Sequence, residues 1–198
     1  AETGAAQPPR PDGSLPPTEL LFYGLVNESI EQLVCEGFGR DTWHAVKAKA
    51  GLTDVEDGDF LQSQQYDQEV TYKIVGGITE VLGLTAEQAL QAAGDNFVSK
   101  YLMKNGYLDL LRSQGKNLKE FLGNMDRMHA YLKKETLPGL APPSFKTEDA
   151  KDGVGFLLHY WSFRPGLGPL AQGMVGACGK VLFEQETKVV VVRSSSEG

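Results

Sequence analysis

The sequence predicts an α+β fold, in which a helical N-terminal part is followed by a small antiparallel sheet with one inserted helix. Up to about residue 135, apolar residues recur at the three- and four-residue spacing of amphipathic helices. Three prolines between residues 137 and 143 then end this pattern, because proline lacks the N–H group that a helix interior needs. Beyond them, alternating apolar and polar residues are typical of strands. Helices first and strands second is the order of an α+β domain.

Helices are expected before the prolines, at roughly 18–36, 41–50, 69–82, 86–104, 106–113 and 117–135. Two of them begin with a capping-box pattern, Thr85-x-x-Gln88 and Asn117-x-x-Glu120, in which side chains satisfy the first backbone N–H groups. Gly51, Gly83 and Gly115 stand where helix ends or turns are expected, and glycine readily takes the left-handed conformation of a helix C-cap.

After the prolines we expect two strands, a helix and a last strand, at 144–147, 154–164, 167–183 and 189–192. A turn around 149–153 would join the first two strands. Gly173 and Gly176 would let the helix approach a neighbouring element closely. The last segment consists only of valines, which is the β-branched pattern of a buried strand.

One domain, residues 18–192, is expected between two tails. Residues 1–17 are rich in Pro, Gly and Ala and have little to bury, so we predict a disordered tail, and residues 193–198 form a polar tail. A length of 198 residues allows a core large enough to enclose a cofactor. The chain begins with Ala1 and shows no secretory apolar region, so we expect a trimmed or engineered segment of something longer.

Charge and hydropathy limit the possible partners. The net charge of −7 and the lack of a Lys/Arg-rich run argue against nucleic acid. No long apolar stretch occurs, so no membrane span is expected. Cys35 and Cys178 lie far apart and form no metal-ligand pattern. So few cysteines fit a reducing compartment, and we expect a cytoplasmic protein.

His129 is the first candidate site residue. If residues 117–135 form a helix, one apolar face carries Leu122, Met125, His129 and Leu132. A buried imidazole needs a partner, and this face offers no Cys, Asp or Glu as a second metal ligand. A single histidine suits a metal that brings its other ligands, as haem iron does. A core histidine bonded to a backbone carbonyl is the alternative, and this segment alone favours it.

A second group of candidates lies on the expected strand 154–164. Because alternate residues of a strand share a face, Tyr160, Ser162 and Arg164 would project together. His159 would face the other way. A phenol, a hydroxyl and a guanidinium on one line could bind anionic oxygens, such as the two propionates of haem. A solvated strand face is the alternative, and this short pattern by itself favours it.

Together these residues resemble a known family. His129, the proline turn and the Tyr160-x-Ser162-x-Arg164 segment have the order and approximate spacing found in the H-NOX family, the haem nitric oxide/oxygen binding domains. The resemblance extends to Tyr23-Gly-Leu-Val-Asn27, to Ala141-Pro-Pro143-Ser-Phe145, and to the residues that continue from Arg164 as Pro-Gly-Leu. Over about residues 22–192 the chain is similar to the sensor domains of soluble guanylate cyclase beta subunits, more than to bacterial stand-alone members.

The resemblance implies haem b as the cofactor, enclosed by the fold, and a role for each matching residue. His129 matches the proximal ligand of the iron. Tyr160, Ser162 and Arg164 match the motif that binds the propionates. Pro143 matches the proline that presses on the haem and distorts it, with simple helix termination as the alternative role.

On the distal side, the resemblance implies selectivity between gases. Leu170 occupies the position at which oxygen-binding members carry a tyrosine, and Phe97 matches another distal position. Val26 and Ile30 are expected to line the same side, while Asn96 would bring in a hydrogen-bond donor if the alignment shifted by one residue. Leucine cannot donate to bound O2. We therefore expect binding of NO, weaker binding of CO, and poor or absent binding of O2.

The function implied is sensing rather than catalysis. NO would weaken the bond between the iron and His129, and the freed helix would signal to a guanylate cyclase domain and so to cGMP synthesis. A stand-alone sensor that regulates a separate partner protein and a haem-free interaction module are the alternatives. A further alternative is an enzyme that uses groups such as His44, His159 or Ser144, with Asp149. No motif with a catalytic mechanism accompanies these residues.

Overall fold

The computed structural model describes residues 21–58, 60–151 and 153–192. Its helices are α1 (Gly24–Phe38), α2 (Arg40–Ala50), α3 (Gln68–Leu82), α4 (Ala86–Asn96), a π-helical turn (Phe97–Leu102), α5 (Leu108–Arg112), α6 (Leu118–Gly123), α7 (Met125–Glu135) and α8 (Gly168–Phe183). The two predicted tails, residues 1–17 and 193–198, lie outside the described residues.

Two small antiparallel sheets accompany the helices, which confirms the predicted α+β class. Strands β1 (Leu21–Tyr23) and β2 (Gln65–Asp67) form one pair, and β3 (Ser144–Asp149) and β4 (Phe156–Trp161) form the other. The first pair was not predicted, because three-residue strands are too short to show a period. The register of the second pair sets Phe145 opposite Tyr160.

Local capping signals predicted several helix ends correctly. Thr85 accepts a hydrogen bond from the backbone N–H of Gln88, whose side chain accepts one from Thr85 N, so the capping box is complete. Asn117 likewise accepts from Glu120 N at 2.9 Å. Gly51 and Gly83 end α2 and α3 in the left-handed conformation, each with a φ of 67°.

Two predicted helices are interrupted in the structure. The expected helix 86–104 contains the π-helical turn, and the expected helix 117–135 is two helices, α6 and α7, separated at Asn124. The side chain of Asn124 donates to the carbonyl oxygen of Gln114 at 2.6 Å. This bond holds the junction from outside the helix, so periodicity within the segment did not reveal it.

The predicted buried strand at 189–192 is wrong. These residues belong to neither sheet, and their valines are 36%, 62%, 57% and 78% exposed. After α8 the chain turns back along the helix that it has just left, with Gln185 N donating to Gly179 O at 3.0 Å. β-branched residues favour a strand only where another strand is available to pair with them.

Packing of α8 on α4 joins the two parts of the core. One apolar cluster lies among α1, α2, α3 and α4, and the other among α5 to α8, the π-helical turn and the β3–β4 sheet. As predicted, Gly173 allows a close approach, since a Cβ atom there would lie 2.1 Å from the carbonyl oxygen of Gln91. The same expectation for Gly176 is wrong, because a Cβ atom there would meet nothing within 4 Å. Among the described residues, no helix combines the length and apolar character needed to cross a bilayer.

Candidate functional site

His129 lies in the middle of α7 and is half-buried. Met125 one turn before it and Leu132 almost one turn after it belong to the second apolar cluster. Leu122, predicted on the same helix face, also belongs to that cluster but lies on α6. The apolar face predicted for one helix is therefore divided between two helices.

Phe145 connects His129 with Tyr160. The ring centroids of His129 and Phe145 are 6.1 Å apart, and those of Phe145 and Tyr160 are 5.5 Å apart. The β3–β4 register places Phe145 directly opposite Tyr160, and β3 packs against α7. The structure thus brings the imidazole and the phenol to one region, around an aromatic residue that was not among the predicted site residues.

Asp126 fixes the start of β3 against the helix that carries His129. Its carboxylate accepts hydrogen bonds from Ser144 Oγ and from Phe145 N, the latter at 2.9 Å. Pro143, half-buried, directly precedes this anchored pair. Asp126 was missed, and its only sequence signal is an acidic residue in the first turn of a helix, which helix polarity alone explains.

The prediction that Tyr160, Ser162 and Arg164 share one strand face is wrong. Strand β4 ends at Trp161, and the following residues form a turn in which Ser162 Oγ accepts from Arg164 N at 3.1 Å. Pro165 and Gly166 follow, the glycine with a φ of 72°. Proline restricts the residue before it and the glycine reverses the chain, so the strand cannot continue.

Arg164 is buried, at 7% exposure, and joins three segments. Its guanidinium donates to the carbonyl oxygen of Ala141 at 2.6 Å and to that of Leu21. It also lies over the ring of Phe22, 4.4 Å from the ring centroid. The cation is therefore placed between the proline turn and β1.

Tyr72 adds a second phenol to this region and was not predicted. Its hydroxyl donates to the carbonyl oxygen of Pro165 at 2.9 Å. Burial raises the pKa of Tyr72, and the positive charge of Arg164 opposes that shift. The neutral phenol is thus a hydrogen-bond donor at neutral pH, next to the turn that carries Arg164.

The other candidate groups lie with different partners. As predicted, His159 faces away from Tyr160. Its ring stacks on that of Trp161 with 5.6 Å between the centroids, and its Nε2 lies 3.3 Å from Oε2 of Glu148. His44 is exposed on α2 and bonds Asp57 at 2.9 Å. Asp149 pairs with Lys119 in an exposed contact. Ser144 donates to Asp126, so each of the four groups considered for an enzyme has a partner outside that set.

Three of the four expected distal residues lie together. Ile30 and Leu170 are buried in the first apolar cluster, and Val26 packs against it. Phe97 packs against the second cluster instead, at the start of the π-helical turn. Met174 of α8 contacts both clusters and lies between the two groups.

Asn96, beside Phe97, has its donors already engaged. Its side-chain Nδ2 donates to Ser29 O at 3.0 Å and to Ser29 Oγ at 3.3 Å. An amide nitrogen carries two hydrogens, so these bonds use both. Asn96 is 2% exposed, so its side chain is buried with its amide nitrogen directed at Ser29 of α1.

The available donors fit haem better than a bare metal ion. Among the described residues, no group of three or more His, Cys, Asp and Glu side chains could hold a metal. A single imidazole among apolar side chains instead suits an iron whose four other ligands come from a porphyrin. The buried cation of Arg164 and the phenol of Tyr160 are groups that can bind carboxylates, whereas the one donor hydrogen of Tyr72 is engaged by Pro165 O.

Two surface grooves lie apart from these residues. One of about 300 Å³ is lined by Leu110, Gln114, Arg127, Met128 and Tyr131. The other, of about 380 Å³, lies between α4, α8 and the segment after α8 and is bordered by Gly173, Gly176 and Val189. His129, Tyr160 and Arg164 border neither groove.

Comparison with known proteins gives a consistent result. Residues 23–191 match the family model described as Haem-NO-binding. The chain is 34% identical over 171 residues to the soluble guanylate cyclase gcy-32 of Caenorhabditis elegans. The matched region covers 86% of this chain and 24% of that protein. It is also 34% identical over 111 residues to the guanylate cyclase soluble subunit beta-2 of Rattus norvegicus, covering 56% of this chain and 16% of that one.

The chain spans about a quarter of the length of the first of these relatives. Solved structures show the same fold at lower identity. An H-NOX protein from S. oneidensis in the Fe(II)NO ligation state has a TM-score of 0.74 at 17% identity, covering 89% of this chain and 93% of that one. An Fe(II) unliganded H-NOX protein from K. algicida has a TM-score of 0.66 at 17% identity, covering 82% and 84%.

Proposed function

Because the chain belongs to the haem-NO-binding family, we propose that it is a haem-based gas sensor domain that binds nitric oxide. The observation that supports this most directly is His129, a single imidazole among apolar side chains, connected through Phe145 to Tyr160. Haem held there by His129 would supply an iron atom that can bind a diatomic gas.

The residues proposed to hold haem come from α7, the proline turn and the segment after β4. His129 would bind the iron, and Pro143 would press on the porphyrin from the start of β3, which Asp126 anchors. Tyr160, Ser162 and Arg164 would bind the propionates. Arg164 donates to the carbonyl oxygens of Ala141 and Leu21, and its guanidinium would bind a propionate carboxylate as well.

Gas selectivity would follow from the distal side chains. Leu170, Ile30 and Val26 offer no hydrogen-bond donor, and the donors of Asn96 are engaged by Ser29. Bound O2 gains stability from a nearby donor because it carries partial negative charge, whereas NO needs no such help. We therefore propose binding of NO, weaker binding of CO and poor binding of O2.

Signalling would pass through the position of His129. The helix α7 has 11 residues and is separated from α6 at Asn124, so it can move without an equal movement of α6. His129 would hold α7 in one position while it binds iron and would release α7 when NO weakens that bond. A gas shifts this equilibrium only as far as its affinities for the two positions differ.

The output is proposed to be a guanylate cyclase and hence cGMP synthesis in the cytoplasm. The relatives that match over 86% of this chain are soluble guanylate cyclases. Asp126 links α7 to β3, so a displacement of α7 would reach the surface of the β3–β4 sheet. A stand-alone sensor acting on a separate partner would use the same residues.

An absorption spectrum tests the proposal. The ferrous protein should show a haem Soret band that shifts on addition of NO and, at higher concentration, of CO. Addition of O2 should not produce a stable new Soret band. Failure to take up haem on reconstitution would refute the sensor function and favour a haem-free interaction module. A stable spectrum of an oxygen complex would refute the selectivity while leaving haem binding intact.

A further inference from the structure

Phe97 and Tyr101 form a stacked aromatic pair in the π-helical turn. Their ring centroids are 5.7 Å apart and their planes are inclined by only 14°. A π-helical turn bonds residue i to i+5 and is wider than an α-helical turn, so residues four apart lie nearly above one another. Tyr101 is 1% exposed, which makes it one of the most buried aromatic residues in the chain.

The hydroxyl of Tyr101 donates to the carboxylate of Glu28 on α1, 73 residues earlier. Burial and the neighbouring carboxylate raise the pKa of Tyr101 far above its ordinary value, so the phenol keeps its proton. A hydrogen bond to a charged acceptor is stronger than one between neutral groups. The orientation of a buried ring is thus set by one directional bond at its end and by stacking along its face.

This bond connects the elements that carry the proposed distal residues. Glu28 lies on α1 between Val26 and Ile30, and Tyr101 lies in the same turn as Phe97. Helix α1 packs against both α4 and the π-helical turn. A change in the Glu28–Tyr101 bond would therefore alter the spacing between α1 and Phe97 and the tilt of the Phe97 ring.

We propose that Tyr101 and Glu28 are positioning residues for the distal side of the gas site, acting through the ring of Phe97. This inference rests on the proposed function, since it takes Phe97, Val26 and Ile30 to face the bound gas. Neither Tyr101 nor Glu28 needs to touch the gas. Their effect is to hold Phe97 in one orientation, and so to limit how CO or NO is seated and how quickly it is exchanged.

The test compares Tyr101→Phe, Glu28→Ala and Glu28→Gln. The first keeps the stacked ring and loses the donor, the second loses the acceptor, and the third keeps an acceptor oxygen in a side chain of the same length. Ser99→Ala is the matched control, because its hydroxyl bonds the exposed carboxylate of Asp95 at 3.1 Å from within the same turn.

Two measurements separate positioning from stability. Fluorine NMR of the protein with 4-fluorophenylalanine at position 97 reports the ring environment with or without haem. The C–O stretching band and CO rebinding after photolysis report the distal site of the ferrous protein. Tyr101→Phe and Glu28→Ala should each shift the fluorine signal and change the CO rebinding rate by roughly threefold to tenfold, with no further change in the double variant. Glu28→Gln and Ser99→Ala should stay near the wild type.

The results distinguish this proposal from the function on which it rests. An unchanged fluorine signal in Tyr101→Phe would overturn it, as would a shifted signal with an unchanged CO band and rebinding rate. Lower thermal stability without either spectral change would show a purely structural role and also overturn it. A wild-type protein that takes up no haem would refute the sensor function, and the fluorine signal would still decide whether Tyr101 orients Phe97.

Discussion

Gly94 of α4 lies directly against the backbone of Leu170 in α8, where a Cβ atom would be only 2.1 Å from the Leu170 carbonyl oxygen. The same closeness recurs three residues further along α8, where a Cβ atom on Gly173 would lie 2.1 Å from Gln91 O. Two glycines, one from each helix, thus set the separation of α4 and α8. The backbone of Leu170, the residue proposed for the distal side, is therefore positioned by the close contact of the two helices and not only by side-chain packing.

Gly94→Ala should destabilise the protein by at least about 2 kcal/mol, because the methyl group can be admitted only by moving one helix backbone away from the other. Urea unfolding, followed by circular dichroism, measures the loss. Gly176→Ala is the control in α8: its Cβ atom would meet nothing within 4 Å, so alanine should stabilise the helix by about 0.5–1 kcal/mol. Equal effects of the two substitutions would contradict the close-packing account.

His129→Gly should lose most of its haem during expression, and imidazole in the growth medium should restore it. The substitution removes the proposed iron ligand and leaves a space that free imidazole can fill. Haem content is measured from the ratio of Soret to protein absorption. His44→Gly, at an exposed position in α2, controls for the helix-weakening effect of glycine, about 1 kcal/mol. Full haem loading of His129→Gly without imidazole would rule out the ligand assignment.

Leu170→Tyr should raise the affinity of the ferrous protein for O2 by at least roughly tenfold, since a hydrogen bond to a charged acceptor contributes about 1.5–3 kcal/mol. Oxygen titration of the ferrous protein measures the change. Leu170→Phe adds the same ring without the hydroxyl and should leave O2 binding weak. If both variants bound O2 equally well, pocket size rather than hydrogen bonding would explain the selectivity.

Asp57 should contribute stability that disappears only in strong acid. Hydrogen bonds from Lys47, at 2.6 Å, and from His44 lower the pKa of Asp57 from its ordinary 3.8 to about 2. Because folding lowers the pKa of Asp57, its carboxylate stabilises the folded protein fully at pH values above the ordinary pKa of 3.8. This stabilisation is lost as the pH falls through about 2. Asp57→Asn should cost about 1–2 kcal/mol at pH 7 and leave the buried ammonium of Lys47 without its carboxylate.

The measurement is urea unfolding of both proteins from pH 7 down to pH 2. The difference between the wild type and Asp57→Asn should shrink as the pH falls from about 4 toward 2. Asp54→Asn, at an exposed position of the same loop, should be nearly neutral throughout. A difference that stays constant across this range would show that the Asp57 carboxylate charge is not the cause.

Helix starts and ends were predictable because their signals are local. The Thr85–Gln88 capping box joins residues three apart, and the glycine caps need only one backbone conformation. The break at Asn124 was not predictable, because the side chain there donates to the carbonyl oxygen of Gln114, ten residues earlier in the turn between α5 and α6. The apolar period continues through the break, so the pattern alone predicts one helix.

The candidate site shows the same limit. His129 and Tyr160 could be singled out by chemistry and resemblance, but Phe145 and Asp126 gain their roles only once β3 lies against α7. Alternation also extended the predicted strand past Trp161, although the Pro165-Gly166 pair marks the turn that ends it. Residues 189–192 had strand composition, but composition does not supply a neighbouring strand to pair with.

The π-helical turn sets the direction in which the residues after it point around the helix axis. An α-helix advances by about 100° per residue, so deleting one residue between Phe97 and Leu102 would convert the wide turn to a regular one and rotate the next part of the helix by about that angle. Val98 and Tyr101, both buried, could not then keep their places together with Phe97. This part of the chain should tolerate conservative substitutions far better than a change of a single residue in length.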